Sequence, residues 1–100
     1  MPGDMTVANT ILAQLGGHRF TVFTGSSGYI GDETSLKFRI GSNPKRWTYC
    51  RICLNGSDLY DVTFSRWAGG QLVAEETTED VCFMDLQDVF TYNTGLDTHL

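Results

Sequence analysis

Two cysteines three positions apart, in Cys50-Arg51-Ile52-Cys53, have the spacing of half a zinc site or of a redox pair. Zinc needs convergent ligands, usually four, and no second Cys/His pair lies at a suitable spacing. The segment also reads as a strand, where positions three apart point to opposite faces. A thioredoxin-like pair would instead open a helix, whose N-terminus stabilises the thiolate. Cys50, Cys53 and Cys82 are therefore expected to be free thiols, since an odd number fits a reducing compartment better than a disulfide framework.

Nucleophilic catalysis has no better footing. His18 and His99 are the only imidazoles. Ser26 or Ser27 could be joined with His18 and Asp32 on paper, but any serine-rich loop permits that. His18 follows Gly16-Gly17, where a cation would suit the C-terminal dipole of a preceding helix. The glycine-rich run Gly25-Ser26-Ser27-Gly28-Tyr29-Ile30-Gly31 lacks the Gly-Lys-Ser/Thr ending and following helix of a phosphate loop. It reads as a flexible hairpin loop whose backbone amides could take a small anion. There is no Asp-x-Asp-x-Asp-Gly calcium loop. The expectation is a non-enzymatic protein with no catalytic group, cofactor or metal.

Charge carries more information. Residues 1–57 hold six Lys/Arg against three Asp/Glu, and residues 58–100 hold one against nine. The two parts therefore carry +3 and −8, which give the −5 of the whole chain. Arg39, Lys45, Arg46 and Arg51 interleave with Trp47 and Tyr49, a pattern that suits stacking of single-stranded nucleic acid on a basic domain. On an anionic chain a solvated sheet face is the better reading, and direct nucleic-acid binding is not expected. The sharper cluster is acidic: Glu75, Glu76, Glu79, Asp80, Asp85 and Asp88, extended by Asp58 and Asp61. Acids near a helix start also suit the dipole and keep a protein soluble. As a functional feature they form a partner-binding surface that would oppose a cationic one.

Periodicity supplies the elements that would hold these groups. Val7, Ile11, Leu12 and Leu15 line one side of a first helix, with Thr6 or Asp4 to cap it and Gly16-Gly17 to stop it. Residues 18–24, rich in β-branched and aromatic side chains, predict a strand. In residues 35–40, Leu36, Phe38 and Ile40 alternate with Lys37 and Arg39, the mark of a strand with one buried face. Residues 47–54 place Cys50, Ile52 and Leu54 on one face and Trp47, Tyr49, Arg51 and Cys53 on the other. Asn55-Gly56-Ser57-Asp58 then turns the chain, because Asn-Gly tolerates the positive φ of a hairpin. Residues 59–67 return with Tyr60, Val62 and Phe64 inward, and after Ala68-Gly69-Gly70 a short fifth strand covers residues 71–75. A second helix follows, capped by Asp80, striped by Cys82, Leu86, Val89, Phe90 and Asn93, and ended by Gly95. Residues 25–34 are left as the one long loop. The fold class is α+β: one domain over residues 1–100, with about five antiparallel strands and an N-terminal and a C-terminal helix on one face.

Apolar runs of four residues are far short of a membrane span, and the acidic start lacks the basic and apolar regions of a signal peptide. A cytoplasmic, non-membrane protein is expected. The stretches Asn9-Thr10-Ile11-Leu12-Ala13-Gln14-Leu15-Gly16-Gly17-His18-Arg19-Phe20, Thr24-Gly25, Ser35-Leu36-Lys37-Phe38-Arg39 and Leu59-Tyr60-Asp61-Val62-Thr63-Phe64 are distinctive together. With Asp85-Leu86-Gln87-Asp88-Val89-Phe90-Thr91-Tyr92-Asn93-Thr94-Gly95-Leu96, they resemble a family of small uncharacterised proteins of bacteriophages and mobile elements. Trp47, Cys50 and Cys53 stand outside that likeness. The resemblance implies residence in a bacterial host cytoplasm and, by analogy with other small acidic phage proteins, action against a host defence such as CRISPR-Cas or restriction. The partner would be a host protein whose basic nucleic-acid-binding surface the acidic residues occlude. Alternatives are a phage structural or accessory module that self-associates, as a homodimer, through Trp47, Tyr49 and Trp67, and a binder of nucleic acid or a small ligand.

Overall fold

The computed structural model describes residues 4–98. The first helix, α1 (Thr6–Leu15), buries Ala8, Ile11 and Leu15 along one stripe. Asp4 accepts the Thr6 amide proton through Oδ1 at 2.9 Å, which satisfies one free donor of the first turn. Gly16 ends the helix at φ 125°, its N–H reaching back to the carbonyls of Leu12 and Ala13.

The next segment corrects the sequence expectation. Residues 18–24 form not a strand but a second helix, α2 (His18–Thr24). Intrinsic β-preference there is outweighed by tertiary packing. A strand that buried Phe20 and Thr24 would bury Val22 with them, whereas the helix turns Val22 outward and leaves it largely exposed. Phe20 meets Phe38 and Phe90 edge to face at 5.6 and 4.8 Å. His18 thus follows the Gly16-Gly17 end of α1, as the sequence indicates, but also opens α2.

The run read as a loop contains the true first strand, β1 (Ser27–Gly31). Then come β2 (Ser35–Arg39), β3 (Tyr49–Leu54), β4 (Tyr60–Ala68) and β5 (Gln71–Val81). All neighbours pair antiparallel in the order β1-β2-β3-β4-β5, so the sheet is a simple meander. Gly31 explains why β1 is rich in glycine. A Cβ there would stand 2.6 Å from the Ala8 Cβ, so its absence lets α1 lie directly on the strand.

Three further expectations are adjusted. The β3–β4 turn takes its positive φ at Asp58 (59°), while the Asn55 side chain accepts the amide protons of Ser57 and Leu59. β5 runs on to Val81, so Asp80 lies in the strand, in left-handed geometry beside a register shift, and caps no helix. The C-terminal helical segment starts later, with a short 3-10 turn, Phe83–Asp85, leading into α3 (Leu86–Thr94). Asp85 and Asp88 sit at its first turn, and Gly95 ends it in the left-handed region, as the sequence indicates.

The core lies between the sheet and the helical layer. Phe38, Ile52, Val62 and Phe64 from the strands meet Ile11, Leu15, Phe20, Leu86 and Phe90 from the helices. This is the α+β architecture expected, a five-stranded antiparallel sheet with helices from both ends of the chain, although one of its strands comes from a different segment.

Candidate functional site

A meander keeps sequence order in space, so charge segregation along the chain becomes charge segregation across the sheet. Lys37, Arg39 and Arg51 stand on β2 and β3, with Lys45 and Arg46 in the connection between them. Glu75, Glu76, Glu79 and Asp80 stand on β5, whose outer side has no neighbouring strand. All four are exposed, and the one ion pair among the described residues lies elsewhere, between Arg51 and Asp32 at 3.8 Å.

The structure brings together some of the predicted acids and separates others. Asn55 Nδ2 donates to Asp61 Oδ1 at 3.1 Å and to Asp80 Oδ1 at 2.8 Å. Asp61 Oδ1 also accepts the Asp80 amide proton, so Asp61 and Asp80 share one hydrogen-bonded corner beside the Asp58 turn. Glu75 pairs in register with Ser65 and Glu76 with buried Phe64, so the two carboxylates leave the strand on opposite sides. The acids therefore wrap the edge of the sheet instead of covering one face. Asp85 and Asp88 belong to the helical layer.

The open face of the sheet carries the other candidates. Across one row stand Arg39, Tyr49, Ser65 and Glu75, and across the next Lys37, Arg51, Thr63 and Thr77. Lys37 Nζ lies 4.8 Å from the centre of the Tyr49 ring. Trp67, Leu72 and Ile30 leave apolar surface exposed. Trp47, expected on this face, is buried on the other side. Its Nε1 donates to the Asn93 carbonyl at 3.0 Å, and its ring lies 6.0 Å from Phe64. The alternation that places Tyr49 and Arg51 outward does not extend back to Trp47, because β3 begins at Tyr49 and Arg46 adopts a left-handed φ of 61°.

The reactive-looking residues serve the fold. Cys50 is fully buried, which pushes its thiol well above the ordinary range, and Cys53 on the opposite face is half-buried. Asp32 Oδ1 accepts the amide protons of Thr34 and Ser35, and the Thr34 bond is the main reason its carboxyl is held below the usual range. Ser26 is buried against the Thr24 hydroxyl at 2.6 Å. No hydrogen bond joins His18, the serines and Asp32 into a triad among the described residues, and His99 lies outside them. Among the described residues no group of three His, Cys, Asp or Glu is arranged to hold a metal, and no helix is long and apolar enough to cross a membrane.

Sequence reasoning missed the connection between β2 and β3. Asn43 Nδ2 donates to the carbonyls of Gly41 and Trp47, and its Oδ1 accepts the Trp47 amide proton. Arg66, the one cation in the acidic half, lies over the Trp47 ring at 5.0 Å and donates to the Lys45 carbonyl. Asn43-Pro44 is a local turn signal, but nothing in the stretch marks an ordered loop. No protein-family model, curated protein or solved structure matches this chain.

Proposed function

We propose that this chain is a non-enzymatic binding protein of phage or mobile-element type that inhibits a host defence protein by inserting its acidic edge strand into a basic nucleic-acid-binding cleft. One observation carries the reading: β5 is an unpaired edge bearing Glu75, Glu76, Glu79 and Asp80, all exposed and none paired with a cation among the described residues. Charges on an edge strand also discourage edge-to-edge aggregation. Four carboxylates held on a rigid strand are in addition a pre-organised substitute for a run of phosphates. Because Glu75 and Glu76 leave on opposite sides, the partner needs a cleft that receives the edge from both faces. Asp58 and Asp61 extend the same charge at one end, and Asp85 and Asp88 add to the field from the helical layer.

The test is capture of host nucleic-acid-binding proteins by the wild type and by the Glu75→Lys/Glu76→Lys/Glu79→Lys/Asp80→Lys variant, at low and high salt. The wild type should retain a partner that salt and an excess oligonucleotide both release. A folded variant that retains the same partner equally well would falsify the proposal.

A second reading, self-association as an accessory module, is favoured by the exposed Trp67, Leu72 and Ile30. With Trp47 in the core, that surface reduces to Tyr49, Trp67 and their neighbours. Sedimentation of a monomer at high protein concentration removes this reading.

A further inference from the structure

The geometry points to a second site, of opposite charge to the β5 edge: the cleft between the β2–β3 connection and the corner joining α2 to β1 binds a phosphate monoester. The cleft has a volume of about 390 Å³, within the range of small-molecule sites, roughly 300–1,000 Å³. Arg39 reaches it from the end of β2 and Arg46 from the connection, while Ser27, Ser42 and Asn43 supply polar wall. No carboxylate lines it.

Availability separates these two arginines from their neighbours. Arg51 is engaged by Asp32, and Arg66 by the Trp47 ring and the Lys45 carbonyl. Among the described residues, Arg39 and Arg46 have no acidic partner and the Ser27 and Ser42 hydroxyls have no hydrogen bond. Two guanidinium groups match the charge of a phosphate monoester, about −1.5 to −2 at neutral pH, and their planar donors suit its oxygens. A diester, with a single charge, would leave one of them uncompensated.

The walls are already fixed. The three hydrogen bonds of the Asn43 side chain close the connection on itself, and the Arg46 amide donates to the Asn43 carbonyl at 3.0 Å. These bonds hold Arg46 in its left-handed conformation. Gly41 admits the close approach of the α2–β1 corner, since a Cβ there would collide with the Thr24 carbonyl oxygen. A pre-organised loop loses little freedom when a ligand arrives. The net charge of −5 would repel an anion from a uniform surface, but no carboxylate lines the cleft, and four of the twelve lie across the sheet on β5.

The experiment titrates the full chain at low ionic strength with inorganic phosphate, with phenyl phosphate, and with an oligothymidylate lacking terminal phosphates, followed by amide and arginine side-chain NMR. Phosphate and phenyl phosphate should give saturable shifts confined to the residues of the cleft. Arg39→Gln and Arg46→Gly should each weaken binding about tenfold. Glycine suits the left-handed backbone at position 46, so that variant keeps the fold. Arg51→Gln, on the open face, should leave the affinity unchanged. Unsaturable shifts spread over all the cations overturn the site, as does wild-type affinity in both cleft variants. Binding of the oligonucleotide without binding of phosphate or phenyl phosphate overturns it in favour of a nucleic-acid backbone.

Discussion

Replacing Gly31 with alanine tests how the helical layer is seated on the sheet. Gly31 does not have a positive φ, so alanine fits the backbone itself. On an isolated strand the change would stabilise by ~0.4–1 kcal/mol through the unfolded chain. In the folded protein the new methyl meets the Ala8 Cβ and the Met5 Cε, each at 2.6 Å. The methionine end can swing away, but the helix methyl moves only with α1. Overpacking of this kind costs ~1–3 kcal/mol, which outweighs the gain and leaves a net loss of ~1–2 kcal/mol. Ala8→Gly alone should cost a similar amount, ~1 kcal/mol in helix propensity and ~0.8 kcal/mol for the buried methyl. In the double variant the methyl introduced on the strand occupies the space that Ala8 vacates. What remains is the helix-propensity cost of ~1 kcal/mol, partly offset by the gain at position 31, so the combined loss should be below ~1 kcal/mol and well below the sum of the single losses. Urea denaturation followed by circular dichroism resolves such differences as midpoint shifts of ~1 M. A Gly31→Ala protein as stable as the wild type, or a strictly additive double variant, would show that α1 does not rest on β1.

Two other measurements probe a buried thiol and a hydrogen-bonded surface carboxylate. With a thiol reagent near neutral pH, Cys53 and Cys82 should react in the native state, whereas fully buried Cys50, its thiolate disfavoured by desolvation, should react only after unfolding; fast labelling of all three would contradict the core. Hydrogen bonds from the Thr34 and Ser35 amides depress the Asp32 pKa in the folded state. Its stabilising contribution is thus complete above the ordinary carboxylate value of ~3.9 and is lost as pH falls through the lower folded value. Asp32→Asn keeps an acceptor oxygen without the charge, so the fall in urea midpoint between about pH 5 and about pH 2 should be shallower in the variant than in the wild type. Parallel pH profiles would remove Asp32 from the account.

Much of the sheet could be read directly from the chain, because period-two alternation is a local property. Leu36 and Phe38, Cys50 and Ile52, and Tyr60, Val62 and Phe64 face the core as their spacing requires. The glycine stops at Gly16 and Gly95 were legible for the same reason, since left-handed backbone has few other hosts. The acidic residues could be counted but not placed. Their separation onto two sides of β5 follows from a strand that runs to Val81 and a register set by β4.

Sequence alone determined the α+β class, the inward set of the central strands, the turns on either side of β4 and the polarity of charge along the chain. Each depends on neighbours within a few residues or on simple counting. Tertiary structure decided that His18–Thr24 is helical, that the glycine-rich run is a strand beneath α1, that Trp47 turns inward and that Arg39 and Arg46 flank one cleft. Each of those outcomes depends on contacts between segments distant in the chain: Phe20 with Phe90, Gly31 with Ala8, and Trp47 with Asn93. Local propensity carries no record of such contacts, and where they bury an aromatic ring they prevail over it.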